Sequence, residues 1–256
     1  MEFIPSITFI GSGNLATHLS TNLFHKGFVI HEVYSKTIEN ATLLASKFNA
    51  SATNNLAQIS DKSDIYIICI KDDLIEDVIR NFPFKNKLVV HTSGSVSIEN
   101  LKGFDNYGIF YPLQTFSKEK EVNMFHVPFC IEANTKITEK RLVALAESLS
   151  ENVYLINSEQ RKKLHLAAVF ACNFTNYMYQ IANDITRKND IDFDILKSVI
   201  LETAKKIQKN TPKAMQTGPA KRRDEAVIKK HLELLADLPA YQEIYQLITK
   251  NIIKNS

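Results

Sequence analysis

Residues 7–16 read Ile7-Thr8-Phe9-Ile10-Gly11-Ser12-Gly13-Asn14-Leu15-Ala16. A short apolar run stops at one glycine, a second glycine follows two residues on, and a small residue stands three further along. This is the G-x-G-x-x-A pattern of a strand–turn–helix that binds a dinucleotide. Gly11 permits the tight turn, Gly13 lets the backbone approach a pyrophosphate, and Ala16 lets the helix pack on the strands behind it. The free N–H groups at the helix start attract the anion. The next segment, Asn14 to Lys26, carries Leu15, Leu19, Leu23 and Phe24 on one helical face, the context that the motif demands. Gly11, Ser12, Gly13, Asn14 and Leu15 are therefore expected to line the cofactor.

Outward from this turn, strands and helices alternate. Val29 to Tyr34 reads as a second strand, Ile38 to Phe48 as a helix, and Ile65 to Ile70 as an apolar run without alternation. Such a run suits a strand covered on both faces, as in a parallel sheet. A helix at Leu74 to Arg80 precedes strands at Leu88 to Val90 and Gly108 to Phe110. Pro128 to Ile131, a helix at Thr138 to Leu149, and Val153 to Ile156 complete the series. The order predicts an α/β fold, a doubly wound, mostly parallel sheet.

The second strand selects among nucleotides. An NAD site places Asp or Glu about 20 residues after the glycine turn, on the ribose 2′-hydroxyl. That position holds Tyr34-Ser35-Lys36-Thr37, with no carboxylate. Ser35, Lys36 and Thr37 would bind the 2′-phosphate that an acid would repel, so NADP(H) is expected. Ligands collect at the carboxyl ends of parallel strands, which adds Ile70, Lys71 and Asp72 on the adenosine side. The stretch His91-Thr92-Ser93-Gly94-Ser95 adds Ser93 and Gly94 near the nicotinamide. His91 itself, ending an apolar strand, reads as structural.

Beyond Ser158 the character changes. Leu164, Ala167, Ala168, Ala171, Phe174, Met178, Ile181 and Ile185 recur at helical spacing over about 30 residues, on the order of 45 Å of helix. Helices are expected again at Asp194 to Asn210, Asp224 to Ala236 and Pro239 to Lys254. Of the 7 glycines, Gly218 alone follows residue 108, in keeping with long helices and few tight turns. Two domains are predicted, at 1–157 and 158–256. The net charge of +3 does not point to nucleic acid, although −3 before the boundary gives way to +6 after it. Cys69, Cys130 and Cys172 each lie in an apolar run and read as buried thiols. No stretch of about 18 apolar residues spans a bilayer, and the chain enters a strand without a leader-like segment. A cytoplasmic protein is expected.

Several stretches resemble a bacterial Rossmann-like family with a C-terminal helical domain of unknown function. That family is described as coenzyme F420-dependent NADP oxidoreductase or pyrroline-5-carboxylate reductase-like. The matching residues are Gly11 to Ala16, His91 to Ser95, Tyr111-Pro112-Leu113-Gln114-Thr115-Phe116, His165 to Phe174, and Thr217 to Asp224. The resemblance implies two domains, NADP(H) binding and a homodimer through the helices. It names no substrate.

The polar residues of the helical half supply the rest. At 100° per residue His165 and Asn176 share a direction, with Asn173 about 80° round. Related β-hydroxyacid dehydrogenases use a lysine and an asparagine one turn apart on the equivalent helix. Four residues before Asn173 stands Val169, so their proton donor has no counterpart here. His165, by residue type the side chain most suited to proton transfer at physiological pH, is the candidate general acid beside Asn173. Ser93, Gln114 and Arg222 are candidate substrate contacts, Arg222 as a clamp on a carboxylate. Asp224 reads as a helix cap. The expected activity is hydride transfer between NADPH and a small carbonyl or imine compound in a cleft between domains. A non-catalytic NADP-binding sensor is the alternative.

Overall fold

The structure is a computed structural model, and it describes residues 5–118 and 120–255. The first strand, β1 (Ser6–Ile10), runs into the glycine turn and helix α1 (Asn14–His25). β2 (Val29–Tyr34) leads to α2 (Ile38–Ala45), whose last turn tightens to 3-10 geometry through Phe48. Then follow β3 (Ser51–Thr53), β4 (Ile65–Ile68), α3 (Ile75–Arg80), β5 (Leu88–His91), β6 (Asn106–Pro112), β7 (Phe129–Ala133), α4 (Lys136–Glu147) and β8 (Val153–Leu155).

The strands form one sheet in the order β3-β2-β1-β4-β5-β6-β7-β8. β1 to β6 are parallel throughout; β7 pairs antiparallel with β6 and parallel with β8. The order reverses between β1 and β4, the switch point at whose carboxyl edge ligands bind. The doubly wound, mostly parallel sheet expected from the sequence is present.

Alternate residues of the central strands enter different cores, as a period of two requires. Ile7, Phe9, Ile65, Ile67, Leu88 and Val90 pack on one face, and Ile10, Tyr66, Ile68 and Val89 on the other. Both faces are covered by helices, so β4 can be apolar at every position. At the end of β1, Gly11 has φ +124°, and a Cβ there would lie 2.2 Å from the Cys69 carbonyl oxygen. The glycine turn thus closes directly onto the end of β4.

Packing divides the chain into two compact units, one through Cys172 and one from Asn173 onward. The change of sequence character lies earlier, at 157/158, where Asn157 and Gln160 form a capping box at the start of α5 (Ser158–Ala168). Residues 158–188 are helical throughout. The segment Val169–Phe174 is a π-helix, followed by α6 (Thr175–Lys188). A π turn carries an extra residue, so the regular 100° step that aligned His165 with Asn176 does not hold through it.

The second unit continues with α7 (Lys197–Ile207), α8 (Pro212–Met215), α9 (Pro219–Arg222), α10 (Glu225–Leu234) and α11 (Pro239–Asn255). The Asp224 side chain caps α10 by accepting from the Val227 N–H at 3.2 Å. Within this unit His231 Nδ1 and the Tyr245 hydroxyl lie 2.9 Å apart, and the Tyr241 hydroxyl donates to Asp184 at 2.6 Å. Cys69 and Cys130 are buried free thiols, but Cys172 is exposed, correcting its reading as a core residue. The apolar run around it belongs to a helix whose neighbouring side chains are themselves exposed. Among the described residues no helix is long and apolar enough to cross a membrane.

Candidate functional site

A cleft of about 830 Å³ lies in the first unit along the carboxyl edge of the sheet. At its centre is the glycine turn. The Gly11 N–H donates to the Tyr34 carbonyl at 2.8 Å, tying the turn to the end of β2. Gly13 caps α1 without any side-chain bond, and the first turn of α1 holds no acidic residue. The helix start thus presents N–H groups and a positive dipole end to an anion. A Cβ on Gly13 would meet nothing within 4 Å, so the backbone there is open to a ligand. Asn14 lines the cleft, but its side chain donates to the Phe116 carbonyl at 2.9 Å, which fastens the loop after β6. Lys118, from that loop, also reaches the cleft.

One end of the cleft is shaped by Tyr34, Leu56, Leu74 and Val78, with Ser35, Lys36, Asn40 and Asp77 beside them. The Ser12 hydroxyl donates to the Ser35 hydroxyl at 2.9 Å, leaving the Ser35 proton free for a ligand. The carboxylate that β2 does contain, Glu32, is buried and accepts from the Ser60 N–H at 2.8 Å. It is committed inside the fold two residues before the strand ends. The end of β2 therefore offers the cleft the Ser35 hydroxyl and the Lys36 cation. Burial and then the Asp77 charge raise the Tyr34 phenol above its ordinary range.

At the other end stand Thr92, Ser93, Gly94, Tyr111 and His165. Thr92 donates to the Ile68 carbonyl at 3.1 Å, and the Ser93 hydroxyl accepts from the N–H groups of Ser95 and Val96, both at 3.0 Å. Ser95 in turn donates to Asp72. The Tyr111 hydroxyl and His165 Nδ1 are 3.0 Å apart. Both press on Gly94, where a Cβ would lie 2.6 Å from His165 Nδ1 and 2.9 Å from Tyr111 Cζ. Glycine is required at 94 for space.

Beneath this loop lies Arg161 of α5, with none of its surface exposed. Its Nη1 donates to Glu132 at 2.7 Å, its Nε to the Ser93 carbonyl at 3.2 Å, and its Nη2 to the Val96 carbonyl at 2.5 Å. The Ser158 hydroxyl completes the cluster by donating to Glu132 at 2.7 Å. His91 is fully buried next to it, accepting from the Ser93 N–H at 3.2 Å through Nδ1. Its Nε2 is buried with no hydrogen-bond partner among the described residues. Burial, and then the Arg161 charge, hold His91 down at about 4. It is a neutral structural residue.

The cleft thus gathers Gly11, Ser12, Gly13, Asn14, Leu15, Ser35, Lys36, Ile70, Lys71, Asp72, Ser93, Gly94 and His165. Thr37 is not among its lining residues; it occupies the N-cap position of α2. Gln114 is exposed in a separate hollow, its Oε1 accepting from the Thr115 N–H at 2.8 Å. Asn173 and Arg222, both exposed, belong to the second unit. Tyr34, Asn40, Asp77, Lys118 and Tyr111 also line the cleft; Tyr34 ends the second strand and Tyr111 opens a family stretch, but the sequence gives neither a role, and non-local packing brings Asn40, Asp77 and Lys118 there.

Two family models match in tandem. Residues 6–94 match "NADP oxidoreductase coenzyme F420-dependent" and residues 127–252 a domain of unknown function, DUF2520. A crystal structure of a "putative NADP oxidoreductase" from Bacteroides fragilis is 44 % identical, with 98 % of each chain covered and a TM-score of 0.91. The chain belongs to this NADP oxidoreductase family. More distant structures share the fold of family members. A 1-pyrroline-5-carboxylate reductase from Streptococcus pyogenes is 16 % identical, covers 97 % of this chain and 99 % of its own, and has a TM-score of 0.65. An imine reductase from Myxococcus stipitatus in complex with NADP+ is 15 % identical, with 98 % and 93 % covered and a TM-score of 0.71. No curated protein matches the chain.

The buried cluster should govern both stability and its dependence on pH. Replacing Arg161 by Met leaves Glu132 without its counter-charge and should cost about 3–5 kcal/mol; the double replacement Arg161→Met with Glu132→Met should recover much of this. Urea unfolding of the full chain measures both. His91 has a folded-state pKa below its unfolded value, so the unfolded chain binds the extra proton first. Stability is fully present above pH 6.5 and falls, by roughly 3 kcal/mol in all, as pH drops to about 4. A His91→Gln variant should lack that part of the acid sensitivity in a pH series of melting curves.

Proposed function

We propose that this protein is an NADPH-dependent reductase of a small carbonyl or imine compound. The observation that carries this reading is the pairing of Tyr111 with His165 directly against Gly94, in the cleft that the glycine turn also lines. When bound, the dihydronicotinamide supplies hydride, and the protein's residues supply position and polarity. The start of α1 and the Gly11–Gly13 backbone would hold the pyrophosphate, with Lys118 adding a cation. Ser35 and Lys36 would hold the 2′-phosphate. Tyr34, Leu56, Leu74 and Val78 would flank the adenine. Ser93 and His165 would face the acceptor group, His165 holding a proton at its ring nitrogen.

We further propose that two copies pair through the helical unit. Ile195, Val199, Leu201 and Leu247 there are more than half exposed, apolar side chains that a second copy would remove from water. Light scattering should then give twice the 29.1 kDa chain mass; a monomer at all concentrations would refute the pairing.

The activity is tested by following NADPH absorbance with a panel of keto acids, ketones and imines. Turnover of at least one class is expected, and NADPH binding with no oxidation by any would favour the sensor instead. Lys36→Glu should weaken NADPH roughly 10- to 100-fold and NADH by less than about threefold. Equal losses would remove Lys36 from the 2′-phosphate.

A further inference from the structure

Tyr111 is 8 % exposed, and among the described residues its hydroxyl has one hydrogen-bond partner, His165 Nδ1 at 3.0 Å. We infer that Tyr111 fixes His165 as the tautomer protonated on Nε2, so that the site offers hydrogen-bond donors and takes a carbonyl oxygen rather than an iminium nitrogen. This rests on the reductase reading and names the substrate class within it.

A phenol has a single proton, and a buried donor is almost always satisfied. Burial pushes the Tyr111 phenol up to about 12, so it keeps that proton at neutral pH. The acceptor within reach is Nδ1, which must then be the unprotonated ring nitrogen. A neutral imidazole carries one N–H, and it therefore sits on Nε2. The reverse arrangement, with Nδ1–H donating to the phenol oxygen, would leave the phenolic proton with no acceptor among the described residues. The rings stand edge to face at 73° with centroids 6.1 Å apart, and Gly94 leaves no side chain to wedge between them. His165 Nε2 has no hydrogen-bond partner among the described residues, while the ring lines the cleft.

Ser93 points the same way. Its oxygen already accepts two backbone N–H groups, and its contact with the Ser95 hydroxyl is long at 3.4 Å. What Ser93 has left to offer is its proton. Two donors, Ser93 O–H and His165 Nε2–H, thus line one end of the cleft. A carbonyl oxygen has two lone pairs for them and gains negative charge as it is reduced, which such donors stabilise. An iminium nitrogen has no lone pair, and its own N–H or N-alkyl group would face donor against donor. Tyr111 is here a positioning residue: it acts through His165.

The test begins with the full chain, labelled with ¹⁵N in its histidine rings and free of cofactor, His165→Gln serving to assign the signals. Wild type should show an unprotonated Nδ1 and a protonated Nε2 for residue 165, and Tyr111→Phe should let the other tautomer appear. With NADPH, uncharged ketones and aldehydes should be reduced, and N-alkyl iminium ions should not. Tyr111→Phe should lower kcat for carbonyls about tenfold or more while leaving the NADPH Kd within about twofold. A protonated Nδ1 in wild type overturns the inference, as does reduction of iminium ions as fast as ketones. No turnover with either class would overturn the reductase reading instead, and the ring-nitrogen signals, read without cofactor, would still decide the tautomer.

Discussion

The geometry of the Gly94 end of the cleft depends on one buried guanidinium. Arg161 cannot leave water uncompensated, and its planar fork is satisfied by Glu132 on β7, the Ser93 and Val96 carbonyls after β5, and Ser158 on its own helix. Three separate pieces of chain are thereby held to one point. His165 lies four residues further along α5, on the same face, so the anchor that fixes Arg161 also sets His165 over Gly94. Tyr111, from β6, meets it there. The loop that presents Ser93 is thus braced from below by Arg161 and from the side by Asp72 through Ser95.

The other end of the cleft is built on backbone rather than on charge. Gly11 lets the first turn close on β4, and α1 starts without a side-chain cap or an acidic residue, so its dipole is left for a ligand. The one acid on β2 is turned inward to Ser60, which leaves Lys36 as the charge that the end of β2 presents to the cleft. In the proposed reductase, cofactor choice and acceptor chemistry are therefore set by different elements, one at the end of β2 and one at the junction of β5, β6 and α5.

Much of the fold is legible in the sequence because local pattern and topology agree. The glycine turn after Ile10 and the unbroken apolar run from Ile65 by themselves announce a parallel sheet, and most of the elements fall within a few residues of their expected places. β3 escapes because Ser51, Ala52 and Thr53 have no apolar signal, and its strand status comes from pairing with β2. The reversed direction of β7 is not written in any local pattern. The π segment at 169–174 is also silent, since its residues suit an α-helix equally well. In the candidate site, the glycine turn, Lys36 and Ser93 can be read because motif and position specify them. Tyr111 and Arg161 cannot. A tyrosine on a strand and an arginine on a helix are ordinary residues until a partner distant in sequence, His165 or Glu132, gives them a role. Gln114 misleads for the converse reason: it sits in a family stretch, yet its side chain bonds to the next residue.

The central claim is that this cleft takes a dinucleotide carrying a 2′-phosphate. Calorimetric titration of the wild-type chain with NADPH and with NADH tests it directly. NADPH should bind at least about tenfold more tightly, the worth of one charge-assisted contact at Lys36. Equal affinity, or a preference for NADH, would contradict the account.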